Sequence, residues 1–269
     1  MKKVVVLWDF TEIAEYALAH AEIVAVAKNL EIELLHVVTN GVILNDPYNR
    51  MKSFVESRGC LVHVTPVVVV GDIFTTISEY VNRGMTEIVV LGTHGRKGIQ
   101  KLTGSWALKV IVGSDVPFLV VSRPPKSDSY SRIVFPIDFK KENKEMLSWI
   151  LYVAKSFDSM VYLFQQEARD SFTLSKINNN LNFARKILCK NDIRFDVKIC
   201  SGSHFEDKVE VFSREIEADM IVITTTKNIN GFDYMFGAFE QKLISNEEGI
   251  SVMCVNPRKA LGFNYNSLY

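Results

Sequence analysis

The feature that most constrains this chain is a repeat. Val4-Val5-Val6-Leu7-Trp8-Asp9-Phe10 is answered by Ile133-Val134-Phe135-Pro136-Ile137-Asp138-Phe139, each a short apolar run ending in Asp-Phe. A helical pattern follows each run, carried by Ala14, Ala17, Leu18, Ala21, Val24 and Ala25 in the first copy and by Met146, Leu147, Ile150, Leu151 and Ala154 in the second. Strands are then expected over 33–38 and 160–164, over 64–70 and 195–200, over 87–91 and 219–223, and finally over 117–121 and 251–255. Helices are expected over 73–83, 105–112 and 205–217. Such self-similarity sets the architecture before any single motif does. The strands are β-branched and continuously apolar, which suits a parallel sheet covered on both faces, and their alternation with helices predicts right-handed βαβ crossovers. The 269 residues are enough for two domains, and the Pro- and Ser-rich stretch Ser122 to Tyr130 marks a boundary, giving domains over 1–127 and 128–269.

Composition narrows the function classes. Lys plus Arg and Asp plus Glu both number 31, so the chain lacks the cationic excess that holds nucleic acid by its phosphates, and no nucleic-acid partner is expected. No apolar run reaches the roughly 18 residues of a spanning helix, so no membrane partner is expected either. The start Met1 to Asp9 meets its first acid too early for a secretory signal and reads as a strand of a cytoplasmic protein. Cys60, Cys189, Cys200 and Cys254 form no C-x-x-C pair and have no zinc spacing, so they read as fillers in a reducing compartment, and no metal site is expected.

In a doubly wound sheet, ligands bind beyond the carboxyl ends of the strands, where the strand order reverses. If the first strand neighbours the fourth, Asp9 faces the loop Gly92-Thr93-His94-Gly95-Arg96-Lys97-Gly98-Ile99-Gln100-Lys101-Leu102-Thr103-Gly104-Ser105. Glycines let backbone N–H groups approach an anion, and the helix start beyond the loop adds free N–H groups and partial positive charge, so the segment reads as a phosphate cradle. The plainer readings stand beside it. A glycine-containing strand-to-helix loop is often only a loop, Arg96 and Lys97 are solvated surface charges, and His94 is a loop residue near the pocket. Asp9 either meets a ligand or caps the next helix, and Asp72 after Gly71 is a turn or helix cap.

Asp9-Phe10-Thr11, the strand Leu34-Leu35-His36-Val37-Val38, the loop Gly92-Thr93-His94-Gly95 with Gly104-Ser105, and the closing strand Val116 to Val121 together resemble the universal stress protein family, over the whole chain as two tandem copies. The resemblance implies two flavodoxin-like, adenine-nucleotide-α-hydrolase-like doubly wound α/β domains, each with a five-stranded parallel sheet in the order 3-2-1-4-5. It implies an adenine-nucleotide ligand, ATP with or without Mg. Asp9 would hold the adenosine, the end of the second strand (Val38 or Val37) would supply backbone contacts to adenine, and Gly92, Gly95, Gly104 and Ser105, with His94 beside them, would wrap the ribose and phosphates.

Two departures stand out. Eight residues separate Gly95 from Gly104 where the family has nine, which re-aims Ser105 or brings Thr103 into its place. Leu7-Trp8 stands where the family has proline and a small residue, and Trp8 either stacks on a base or packs. In the second copy, Thr224 and Lys227 replace the first two glycines and Gly237-Ala238 replaces Gly-Ser, so this copy is expected to bind nucleotide poorly, with Asp138 as a strand-end cap.

The expected function is that of a universal stress protein, a regulatory protein that binds ATP through its first domain and is not an enzyme; no catalytic residue is assigned. The alternatives are a ligand-free interaction module, in which the closing strands pair within the chain as a pseudo-dimer or between chains as a homodimer, and a slow ATP hydrolase. The hydrolase lacks a G-x-x-x-x-G-K-[ST] sequence. The tail with Leu261, Phe263, Tyr265 and Tyr269 exceeds the domain and is expected on a neighbouring surface.

Overall fold

The computed structural model describes residues 2–39, 46–93, 104–138, 143–168, 170–225 and 238–256. They form two compact units, one running to Asp128 and the other from Ser129. The first holds β1 (Lys3–Leu7), α1 (Glu12–Lys28), β2 (Glu31–Val38), α2 (Pro47–Arg58), β3 (Val64–Val70), α3 (Ile73–Val81), β4 (Thr86–Gly92), α4 (Gly104–Gly113) and β5 (Phe118–Val121). The second holds β6 (Arg132–Ile137), α5 (Asn143–Phe157), β7 (Met160–Gln166), α6 (Ser171–Lys190), β8 (Phe195–Cys200), α7 (Phe205–Glu215), β9 (Met220–Thr224), α8 (Ala238–Ile244) and β10 (Ser251–Val255).

Within the first unit the strand order is β3-β2-β1-β4-β5 and every pairing is parallel. The second repeats it as β8-β7-β6-β9-β10, again all parallel. The expected 3-2-1-4-5 order is therefore present in both. Every residue of β4 is buried, as a strand covered on both faces requires. The repeat extends to single hydrogen bonds: the Thr93 N–H donates to the Val121 carbonyl at 2.8 Å, and the Thr225 N–H to the Val255 carbonyl at 3.0 Å.

Helix ends follow local chemistry. Thr11 caps α1 by accepting from the Ala14 N–H, with Glu12 and Glu15 in the first turn and Lys28 in the last, a distribution that matches the helix dipole. Asp72 caps α3 through the N–H groups of Phe74 and Thr75, and those bonds hold its carboxyl below the usual range. Asp46 caps α2 just ahead of Pro47. The periodic sequence signal did not predict α2 and α6. Among its twelve residues α2 buries only Pro47 and Met51, so it carries no broad apolar stripe to read.

Because β2 lies on one side of β1 and β4 on the other, the chain leaves the carboxyl ends of β1 and β4 in opposite directions, and a crevice opens between them. The two units differ at this point. β1 pairs with β4 from Lys3 to Val6, whereas β6 pairs with β9 only at Ile133 and Val134. Pro136 brings no N–H to that ladder, and the strands part beyond Val134.

Candidate functional site

The carboxyl ends of β1, β2 and β4 enclose a cavity of about 100 Å³ in the first unit. Leu7, Trp8 and Asp9 line it from β1 and the residues after it, Leu35, His36 and Val37 from β2, and Leu91 and Gly92 from β4. Ala14, Ile73, Ile77 and Val110 close it from the helices. The structure thus brings Asp9 and Gly92 to one cavity. Gly104 and Ser105 are the first two residues of α4. His94, Gly95 and the basic residues Arg96, Lys97 and Lys101 lie outside the described residues, as does the Ser105 side chain.

Asp9 is exposed, and its Oδ1 accepts from the Thr11 N–H at 3.0 Å and from the Thr11 hydroxyl at 2.6 Å. One carboxylate oxygen is therefore committed to starting α1. Phe10, the next residue, has φ +64°, a left-handed conformation that a bulky side chain rarely adopts. Its surroundings hold it there. The Arg50 guanidinium sits 3.9 Å over its ring, and the His36 ring packs edge-on at 5.0 Å. Strain of this kind concentrates at functional sites. His36 also hydrogen-bonds the Trp8 carbonyl through Nδ1 at 2.8 Å, and the Trp8 N–H donates to the Leu35 carbonyl at 2.9 Å, so the end of β1 is fastened to β2. Nothing in the local sequence flagged Arg50, because it reaches Phe10 from α2, forty positions along the chain.

Trp8 is 4% exposed, with its ring 4.8 Å from Phe54 of α2. It packs, and it also forms part of the cavity wall. Val38 is buried, and its carbonyl accepts from the Gly71 N–H at 3.1 Å; Val37, its neighbour, lines the cavity. Gly92 has a packing reason to be glycine. A Cβ there would lie 2.6 Å from Ile13 Cγ2 and 2.8 Å from the Ile13 carbonyl oxygen, so the first turn of α1 leaves no room for a side chain.

In the second unit a cleft of about 1100 Å³ opens at the ends of β6, β7 and β8, without a residue of β9. Asp138, Glu167, Asp170 and Glu206 line it, with Thr173, Ser201 and Ser203 among them. Asp170 caps α6 through the Thr173 N–H at 2.8 Å, which lowers its carboxyl from the usual range. Phe205 and Phe239 form part of the wall and stack, Phe205 packing in turn on Phe164. Beside the cleft, His204, Glu206 and Asp207 bring donor atoms within 4.8 Å of one another, but Asp207 already accepts from the Lys242 ammonium. Thr224 ends β9 where Gly92 ends β4, and residues 226–237 lie outside the described set. Among the described residues no helix is long and apolar enough to cross a membrane.

Comparison with known proteins bears on what this arrangement is. No curated protein matches the sequence. A universal stress protein from Archaeoglobus fulgidus DSM 4304 superposes with a TM-score of 0.74 at 16% identity, over 95% of this chain and 98% of that one. A protein of unknown function from Pseudomonas aeruginosa PAO1 superposes with a TM-score of 0.66 at 13% identity, over 96% and 93%. At these identities the likeness is one of fold. Residues 48–122 match the model of the universal stress protein family, a span from α2 to β5 that omits Asp9. That match identifies residues 48–122 as a universal stress protein segment, and the whole chain shares the α/β fold of these structures, with strand order 3-2-1-4-5 in both of its units.

Proposed function

We propose that this chain is a regulatory protein that binds an adenine nucleotide, ATP, in its first unit. The observation that supports the reading is the meeting of Asp9 and Gly92 at one cavity beside the β1–β4 crevice, the place where doubly wound sheets hold ligands. The free N–H groups of the α4 start suit phosphate, and the apolar cavity beneath suits a base. Magnesium has no set of donors there. Asp9 is the one carboxylate lining the cavity among the described residues, and half of it is engaged by Thr11. In this reading any magnesium travels with the phosphates. The same scarcity of acids disfavours a hydrolase, which must place both metal and attacking water.

The second unit is the poorer nucleotide site. Four carboxylates line its cleft and repel a triphosphate, and in the sequence Thr224 and Lys227 stand in place of the first two glycines of the loop. Equilibrium binding of labelled ATP tests the assignment. Saturable binding at sub-millimolar ATP is expected, lost on Gly95→Val and retained on Asp138→Asn. Absence of saturable binding refutes it. One observation favours a ligand-free interaction module instead: at about 100 Å³ the first cavity is well below the roughly 300 Å³ at which small-molecule pockets begin. A chain that melts at the same temperature with and without ATP would establish that second reading.

A further inference from the structure

Two buried polar atoms at the strand ends of the first unit have no hydrogen-bond partner among the described residues: Nε1 of Trp8 and Oγ1 of Thr93. Both side chains are more than nine-tenths buried, at 4% and 3% exposure. The second unit has neither orphan. Ile137 stands in the place of Trp8 and carries no polar side-chain atom, and Thr225, in the place of Thr93, hydrogen-bonds the Asn256 side chain. Among the described residues the second unit has unpaired atoms of its own, Oε1 of Gln165 at the end of β7 and Oγ of Ser213, but at these two equivalent positions the unpaired groups are found in the first unit alone. The contacts of the Trp8 ring with Phe54 and Phe10 are aromatic packing and do not use its N–H. A buried indole N–H is only a donor and ordinarily finds an acceptor.

We propose that Trp8 is a ligand-binding residue of the first cleft, its Nε1–H donating to a lone pair on the base of the bound nucleotide. The inference rests on the nucleotide reading above and names a contact within that site. The wall around Trp8 indicates which end of the ligand it meets. Leu7, Leu35, Ile77, Leu91 and Val110 are apolar and the one charged residue of the lining is the carboxylate Asp9, so an ionised phosphate is disfavoured there and a flat heteroaromatic ring is accepted. A cavity of about 100 Å³ is suited to a ring system rather than to a whole nucleotide. Because Nε1 can only donate, it also selects: a base that presents a ring nitrogen is accepted, and one that presents C–H or N–H at the same point leaves the donor unpaired. His36 keeps the indole in position by holding the Trp8 carbonyl.

The test pairs a variant with a ligand series on the full chain. Trp8→Phe keeps a ring and removes the donor. Calorimetry measures ATP and its 1-, 3- and 7-deaza analogues, each lacking one ring nitrogen, against wild type and variant. ATP is expected to bind the variant about tenfold more weakly, which corresponds to about 1.4 kcal/mol. One deaza analogue should show the same loss on wild type and no further loss on the variant, a coupling that a change in stability alone does not produce. If wild type binds ATP and the variant binds it equally well, this inference is overturned and the nucleotide reading stands. If wild type binds no ATP, the nucleotide reading itself has failed. Should the variant not fold, the ¹⁵N indole resonances of the wild type decide, with Trp8 assigned by elimination through Trp106→Phe and Trp149→Phe. A downfield move of the Trp8 N–H with slower exchange on adding ATP supports the contact, and an unmoved resonance overturns it.

Discussion

His20 shows how a residue with no part in the candidate site still sets the working conditions of the fold. It is buried in α1, and its ring Nε2–H donates to the Arg123 carbonyl at 3.1 Å. Burial lowers its pKa from 6.5 to about 4, partly opposed by that hydrogen bond. The folded state therefore resists a proton that the unfolded chain accepts, so stability is complete above pH 6.5 and declines as pH falls toward 4. The expected loss is about 1.4 kcal/mol at pH 5.5 and about 3 kcal/mol at pH 4. Urea denaturation of wild type and His20→Gln across this range measures it: the difference between the two should shrink as pH falls, and a constant difference would contradict the assignment. At this scale the sequence was a mixed guide. Asp72 read as a cap and is one. Asp9 read either as a ligand contact or as a cap, and the structure gives the capping role to Thr11, which one Asp9 oxygen holds through its N–H and hydroxyl. The left-handed Phe10 had no signature, because its conformation is imposed by Arg50 and His36 from two other elements.

Among elements, the contact between the first turn of α1 and the end of β4 governs the candidate site. Gly92 lets the Ile13 backbone come close, and Gly92→Ala would force α1 or β4 aside, at an expected cost of about 1–3 kcal/mol of stability. A denaturant midpoint that does not move would show that α1 yields more easily than the packing implies. Elsewhere a buried carboxylate ties helices together. Glu22 of α1 accepts from the Leu61 N–H at 3.2 Å and pairs with Arg58 at the end of α2 at 2.8 Å. That pairing helps explain why α2 was illegible in the sequence: it is held by an ion pair, by the Phe54–Trp8 contact and by its cap, with little apolar stripe. The strands were legible because continuous apolar runs of four to eight residues leave few alternatives in a repeating α/β pattern.

For the molecule as a whole, one topology carries two different strand-end environments, a small apolar cavity in the first unit and a wide cleft lined by carboxylates in the second. Ligand should therefore act on one unit. ATP at a hundred times its dissociation constant is expected to add about 2.7 kcal/mol to the first unit. Amide hydrogen exchange should slow at the ends of β1 and β4 and stay unchanged at β6 and β9; equal protection of both would contradict the asymmetry. The sequence alone determined the repeat, the parallel strands and the location of the glycine loop, because hydrophobic periodicity and chain order are local properties that survive without coordinates. Only the tertiary structure decided that Gly92 answers to Ile13, that Arg50 reaches Phe10, and that Trp8 is buried with its N–H unpaired among the described residues, because each depends on atoms that meet from distant parts of the chain.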